Sequence, residues 1–210
     1  MPRVRTRGTH IIKIIRNMRY TYPHTIRTDG EELTFVGVRQ DERGPWLEVH
    51  NRVAPEKGPM MHVHHRQEEG LTVVEGRIGY QVEGEETEYA GVGETVVFAP
   101  GTPHRFWNAG TEDLVCTGFI RPPENVEYFL TEIYDSMNRS GNGRPDPFDA
   151  AWLVHRYRSE FDMIGIPGFV KKVIFPLQRT IGRLTGRYRR YADAPPPIDP
   201  DTPIGMSNFE

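Results

Sequence analysis

The chain has a single cysteine, Cys116, which excludes an internal disulfide and fits a reducing, cytoplasmic setting. No apolar run approaches the roughly eighteen residues of a membrane span. The N-terminal patch Ile11-Ile12-Lys13-Ile14-Ile15 is short, broken by a lysine and without a small-residue cleavage site, so no secretory signal is expected. A net charge of -3 gives no global sign of a nucleic-acid partner, and no helix-turn-helix or other reading motif stands out. Internal repeats are lacking too. Two stretches lack acidic residues altogether: residues 1–28, and the segment between Asp162 and Asp193.

What the 210 residues do contain suits one domain with a substantial appendage. From Glu31 to Ile120 short apolar runs recur between Gly/Pro turns, as in a small β-sandwich or barrel. Glu32 to Gln40 and Trp46 to Val53 read as strands, the second alternating Leu47, Val49, Asn51 and Val53 against Trp46, Glu48, His50 and Arg52. His50 shares a face with charged residues and is assigned to solvent or the pocket rim. Further strands are expected over Arg77–Glu83, Thr87–Ala90 and Leu114–Ile120. Cys116 falls in the last of these, as a packed thiol.

Within this pattern lie two histidine-bearing stretches, GPMMHVHHRQEEGLTVVEG from Gly58 and GETVVFAPGTPHRFWN from Gly93. On a strand His62 and His64, two apart, point to the same face, where one ion can engage both. Glu69 opens the apolar run Leu71-Thr72-Val73-Val74 and can enter from a neighbouring strand. His104, after the turn Pro100-Gly101-Thr102-Pro103, supplies a third imidazole.

These two stretches resemble the motifs of the cupins, usually written G-x5-H-x-H-x(3,4)-E-x6-G and G-x5-P-x-G-x2-H-x3-N. His62, His64, Glu69 and Gly76 fit the first, and Gly93, Gly101, His104 and Asn108 the second. Gly58 stands four rather than six residues before His62, and Ala99 replaces the first proline; neither is a ligand position. Glu68 rivals Glu69, but the spacing to Gly76 favours Glu69. The resemblance implies a mainly β fold, a cupin double-stranded β-helix (jelly-roll barrel) over residues 30–122. Before it comes a basic arm, 1–29; after it a C-terminal α-helical extension, 123–191, and a Pro-rich tail, 192–210. It also implies one divalent ion held by His62, His64, Glu69 and His104, with iron(II) favoured and zinc, manganese, nickel or copper open, and a homodimer built through barrel strands.

In the extension Val126, Phe129, Leu130, Ile133, Tyr134 and Met137 mark an amphipathic helix that stops at Ser140-Gly141. A second helix starts with Asp146 as cap and Pro147 at its first position, presents Ala151, Val154, Tyr157 and Phe161, and is expected to end at Gly165. A third begins near Pro167 and is kinked or split by Pro176. Its stretch 167–190 is strongly basic. Packing of its apolar stripe on the barrel, a lid or a second subunit is favoured over contact with a membrane surface. The tail reads as an extended linker or disordered.

Three imidazoles and one carboxylate leave an octahedral ion with two positions for substrate, water or dioxygen. Alternation from the ligands would face Met60, Gln67, Leu71, Val73 and Phe106 to the ion, a largely apolar pocket for an enolic, aromatic or polyketide-like small molecule. Glu69 and Gln67 are the candidate catalytic residues. Dioxygenase chemistry is put ahead of a Lewis-acid isomerase, lyase or cyclase, with a non-catalytic ligand-binding or regulatory module as the alternative.

Overall fold

The computed structural model describes residues 19–204. The basic arm up to residue 18, with its isoleucine patch, and the tail from 205 onward lie outside the described residues.

Among the described residues, eleven strands form two antiparallel sheets. They are β1 His24–Thr28, β2 Glu31–Asp41, β3 Gly44–Val53, β4 His62–His64, β5 Glu68–Glu75, β6 Ile78–Val82, β7 Glu88–Ala90, β8 Thr95–Phe98, β9 His104–Asn108, β10 Leu114–Arg121 and β11 Phe161–Met163. The larger sheet runs β1-β2-β3-β10-β5-β8 and the smaller β11-β4-β9-β6-β7, a jelly-roll arrangement. Its first strand precedes the point, near Glu31, where the apolar pattern begins to read as a strand.

Along β3 the buried residues Leu47, Val49, Asn51 and Val53 alternate with outward ones, and His50 is exposed. One face of the larger sheet is therefore continuous core. Its two ends are covered by different elements. Val53, Leu71, Val73, Leu114 and Cys116 pack with Ile78, Val96, Phe98 and Phe106 between the sheets. Leu33, Phe35, Leu47, Val49 and Ile120 instead pack beneath helical residues, among them Val126, Phe129, Tyr134, Leu153 and Tyr157. The helices close the end of the sandwich that the smaller sheet leaves uncovered.

Helix α1, Val126–Ser140, ends on Gly141 in the left-handed region, whose N–H donates to the Met137 carbonyl. Helix α2, Pro147–Arg156, is capped by Asp146, whose carboxylate accepts from the Phe148 and Asp149 amides. The helix stops short of Gly165: Tyr157 is its C-cap, and Phe161 belongs to β11. The apolar spacing Val154, Tyr157, Phe161 suits a helix, but β11 pairs with β4 residue for residue. Downstream, a π-helical turn over Val170–Ile174 gives way to α3, Phe175–Leu184, with Pro176 in its first turn, and a short 3-10 helix covers Arg187–Tyr191. The expected split at Pro176 is thus a change of helix type.

The tail is extended but is no linker. Carbonyls of Ala194 and Pro195 accept from Arg156, that of Pro195 also from the Tyr157 hydroxyl, and that of Pro196 from Asn125. Ile198 is buried. Its amide donates to the fully buried Glu160 at 3.0 Å, and the same carboxylate accepts from the Asn125 side chain at 2.8 Å and backbone at 3.2 Å. Burial raises the Glu160 pKa, against the pull of the Asn125 and Ile198 bonds.

Glu160→Ala should leave these donors without an acceptor, at a cost on the order of 1–3 kcal/mol for each buried group stranded. Urea unfolding would show a lower midpoint for Glu160→Ala and a smaller shift for Glu160→Gln, which keeps one acceptor oxygen. Equal midpoints for wild type and Glu160→Ala would remove Glu160 as the tail's anchor.

Candidate metal centre

Strand β4 is only three residues long, yet it carries two of the candidate ligands. Alternation buries Val63 on one face and sends His62 and His64 to the other. Its position is fixed from both edges. On one side β11 pairs Phe161 with His64, Asp162 with Val63 and Met163 with His62, and the register continues through His65 N–H to the Glu160 carbonyl at 2.8 Å. On the other, His62 pairs with His104 at the start of β9. The turn before His104 passes through Gly101 at φ 78°, and the Gly101 amide donates to the His64 carbonyl at 2.7 Å. Upstream, a Cβ on Gly58 would lie 2.2 Å from the Phe106 carbonyl oxygen, so only glycine lets the loop before β4 rest on β9. Glu69 comes from the larger sheet, where β5 pairs it with Ile120 on β10 and Phe98 on β8.

The side chains of His62, His64, Glu69 and His104 meet between the sheets. From Glu69 Oε2 the Nε2 atoms of His104, His64 and His62 lie at 3.1, 3.4 and 3.9 Å. The four ligand atoms are within 4.8 Å of one another. Metal bonds of about 2.0–2.2 Å space neighbouring ligand atoms about 3 Å apart and opposite ones a little over 4 Å, so small adjustments suffice for one ion. Two rings are already oriented for it. His62 Nδ1 donates to the Met60 carbonyl and His104 Nδ1 to the Thr102 carbonyl, each at 2.8 Å, which leaves both Nε2 lone pairs pointing inward. Phe98 stacks on His104 at 3.8 Å and 7°. The Phe161 ring packs nearly perpendicular to His64, and His64 Nδ1 is buried without a hydrogen-bond partner among the described residues. Glu68 points elsewhere, paired with Arg43 at 2.9 Å.

Burial holds His64 neutral, its pKa lowered to about 3 despite the nearby Glu69 charge. Burial alone would raise Glu69, but the surrounding imidazoles of His104, His62 and His64 hold it well below the ordinary carboxyl range. A neutral imidazole and an ionised carboxylate are the forms that ligate a cation.

Residues 49–119 match the family model described as the cupin domain, and all four ligand candidates lie within that stretch. The chain carries a cupin domain. No curated protein matches the chain. Among solved structures, KdgF from a Halomonas species is 21% identical, covering 46% of this chain and 87% of that one, with a TM-score of 0.39. A putative sugar phosphate isomerase from Acidithiobacillus ferrooxidans is 27% identical over 36% of this chain and 49% of that one, TM-score 0.33. A predicted oxalate decarboxylase from Thermotoga maritima is 17% identical over 43% and 78%, TM-score 0.37.

The other residues expected at the cupin site are dispersed. Leu71, Val73 and Phe106 are closed into the core between the sheets, and Met60 is half exposed. Inward-facing alternation placed the first three on the proper face, but so deep that they pack on one another. Gln67 is buried and donates to Glu124 at 2.9 Å. The same carboxylate takes a forked pair of bonds from Arg66, whose guanidinium also reaches the Thr202 carbonyl. Gln67 thus ties the β4–β5 loop to the start of the helical extension.

Sequence reasoning missed a polar group within electrostatic reach of the ligands. Glu31, at the start of β2, accepts from Asn51 Nδ2 at 3.1 Å, and the Tyr134 hydroxyl of α1 addresses the same carboxylate. Burial raises the Glu31 pKa. Tyr134 and Asn51 oppose the rise, the Glu69 charge adds to it and His62 acts against it, so the group lies within electrostatic reach of the ligands. Asn51 Oδ1 is buried without a partner among the described residues. Only Asn51 had a sequence signal, as a polar residue in the inward series of β3.

An imidazole protonates near pH 6.5 and a carboxyl near 4.5 in the unfolded chain, whereas folded His64 resists until about 3 and folded Glu69 stays ionised below its usual range. The unfolded state therefore binds more protons in acid, and stability falls as pH falls: first below 6.5 through His64, then below 4.5 through Glu69. Calorimetry of chelator-treated protein should show the melting temperature dropping through this window, and His64→Leu should flatten its upper part. A melting temperature that rises on acidification would contradict the assignment.

Proposed function

We propose that this cupin is a metal-dependent enzyme acting on a small oxygen-bearing molecule at His62, His64, Glu69 and His104, with iron(II) as its ion and dioxygen-dependent oxidation as its reaction. The observation that carries the reading is the convergence of three Nε2 atoms on one Glu69 oxygen, with two rings held in the ligating tautomer by backbone carbonyls. Such a cluster of buried imidazoles around a carboxylate is costly to keep unless it coordinates something. A bound divalent ion would supply Lewis-acid polarisation of a substrate oxygen or, as iron(II), redox chemistry with dioxygen.

The chain's own groups set the substrate class. Leu71, Val73 and Phe106 are spent on the core, so their apolar character does not argue for an aromatic ligand. Glu31, Asn51 and Tyr134 argue for hydroxyl or carbonyl functions: Asn51 Oδ1 offers a free acceptor, beside a Glu31 carboxyl already held by Asn51 Nδ2 and Tyr134. The enolic substrates expected from the sequence meet this requirement. A Lewis-acid isomerase, lyase or cyclase is the second reading. It would draw on the Glu31 carboxyl, held by Asn51 and Tyr134, as the group that takes and returns a proton.

Protein purified without chelator should carry near-stoichiometric iron and consume oxygen with enolic diketones. His104→Ala should lose both, with metal affinity falling by more than the roughly 10–100-fold typical of losing an outer-shell partner. Zinc, nickel or manganese without oxygen uptake would select the second reading, and no metal after reconstitution would leave a binding module. Glu31→Gln separates the two chemistries: proton transfer predicts a fall in kcat of about 100-fold or more at unchanged metal content. An unaltered kcat would remove Glu31 from the reaction.

A further inference from the structure

The segment from the π-helical turn through α3 packs on the body by very little. In α3 only Phe175 and Gly182 are buried, and a Cβ on Gly182 would fall 2.4 Å from the Tyr188 ring. Phe175 packs with Ala151 and Val154 of α2, and Lys171 is tied to Asp162 at 2.8 Å. The opposite face is apolar and open. Phe169, Val173, Leu177, Ile181 and Leu184 recur at steps of four, four, four and three, and are 65, 48, 57, 41 and 83% exposed. That spacing lines up along one side of a helix about 22 Å long. Of the covers expected for this stripe, the barrel, a lid or a second subunit, the barrel does not reach these five side chains among the described residues.

The charge around the stripe has one sign. Seven cations and no acid lie between Asp162 and Asp193. Lys171, Arg187 and Arg190 pair with Asp162, Asp146 and Asp149 on neighbouring elements. Lys172, Arg179, Arg183 and Arg189 have no carboxylate partner among the described residues. Arg158 adds to the field: His155 has its pKa lowered to about 4 by burial and then by Arg179, Arg158 and Arg183.

We propose that the Phe169–Leu184 face docks on an anionic phospholipid surface, its apolar stripe at the headgroup–acyl boundary and Lys172, Arg179 and Arg183 among the phosphates. Charge complementarity selects this occupant. A twofold contact with a second copy sets a patch against itself, which here would bring unpaired cations together with no acid in the segment to meet them. Residues 1–18 are an equally poor cover, since their sequence holds five cations and no acid. A basic amphipathic helix with Leu, Ile and Phe on its other side is the physical type that lies in a membrane interface. Among the described residues no helix is long and apolar enough to cross a membrane, so the contact is peripheral. It is independent of the metal centre.

The test is co-sedimentation of the full chain with phosphatidylcholine vesicles, with and without phosphatidylglycerol. Binding is expected only to the anionic vesicles and should weaken steeply with salt. The double variant Leu177→Glu/Ile181→Glu should bind at least about tenfold more weakly. Lys172→Ser/Arg183→Ser should lose part of the binding while retaining the stripe. All four positions are exposed or solvent-facing, and circular dichroism checks that each variant is folded. No binding by wild type, or equal binding by the Glu variant, would overturn the proposal. So would light scattering that shows a dimer converted to monomer by Leu177→Glu/Ile181→Glu, which would assign the face to a second copy.

Discussion

The pairing of β11 with β4 is the constraint on which the rest of the molecule depends. A three-residue strand cannot hold two imidazoles in place by itself, and its contact with β9 is a single register pair, His62 with His104. The missing constraint comes from Phe161–Met163, delivered by the chain after α2. Each peptide group of β4 needs partners once it is buried, and the ladder to β11 supplies them. Positioning of the ligands is therefore a property of the whole chain, although all four ligands lie inside the cupin stretch.

The same logic explains why the helices are not decoration. The inner face of the larger sheet is longer than the smaller sheet can cover, and the apolar side chains left over must be buried by something else. Helices α1 and α2 cover them, with Val126, Phe129, Leu153 and Tyr157 under the sheet. In doing so α1 brings Tyr134 to Glu31. One packing requirement thus yields both the closure of the core and a polar group within electrostatic reach of the ligands. Glu160, Asn125 and Ile198 then bind the tail to this junction, while Arg66, Glu124 and Thr202 do so on the far side of the β4–β5 loop.

Much of this was legible because it is local. Alternation in β3, the two-residue spacing of His62 and His64, the Gly141 stop and the Asp146-Pro147 start each express a rule that acts over a few residues. The choice of Glu69 over Glu68 followed from its distance to Gly76. What was not legible is set by distant partners. Phe161-Asp162-Met163 alternates over three residues only, too few to signal a strand, and follows Val154 and Tyr157 at helical steps; it becomes a strand because β4 has an unpaired edge. The tail's prolines read as an extended linker or disorder, yet their carbonyls are the acceptors that Arg156, Tyr157 and Asn125 need. Alternation told which face Leu71, Val73 and Phe106 take, but depth along the sandwich decides whether a face is open or closed. Glu31 marked only the start of the barrel pattern, and it is α1, folded back over the sheet, that brings Tyr134 to it.

The late position of β11 also bears on how the molecule is made. Synthesis runs from the N-terminus, so His62, His64, Glu69 and His104 leave the ribosome long before Phe161 does. Until then β4 has one bare edge, and the larger sheet has uncovered leucines and valines. A nascent chain at that stage holds the ligands without the frame that aligns them, and it exposes a strand edge and apolar surface that another chain can grasp. Arrival of the extension closes both hazards, so the maturation of the centre is timed by the synthesis of Phe161–Met163 rather than by the appearance of its ligands.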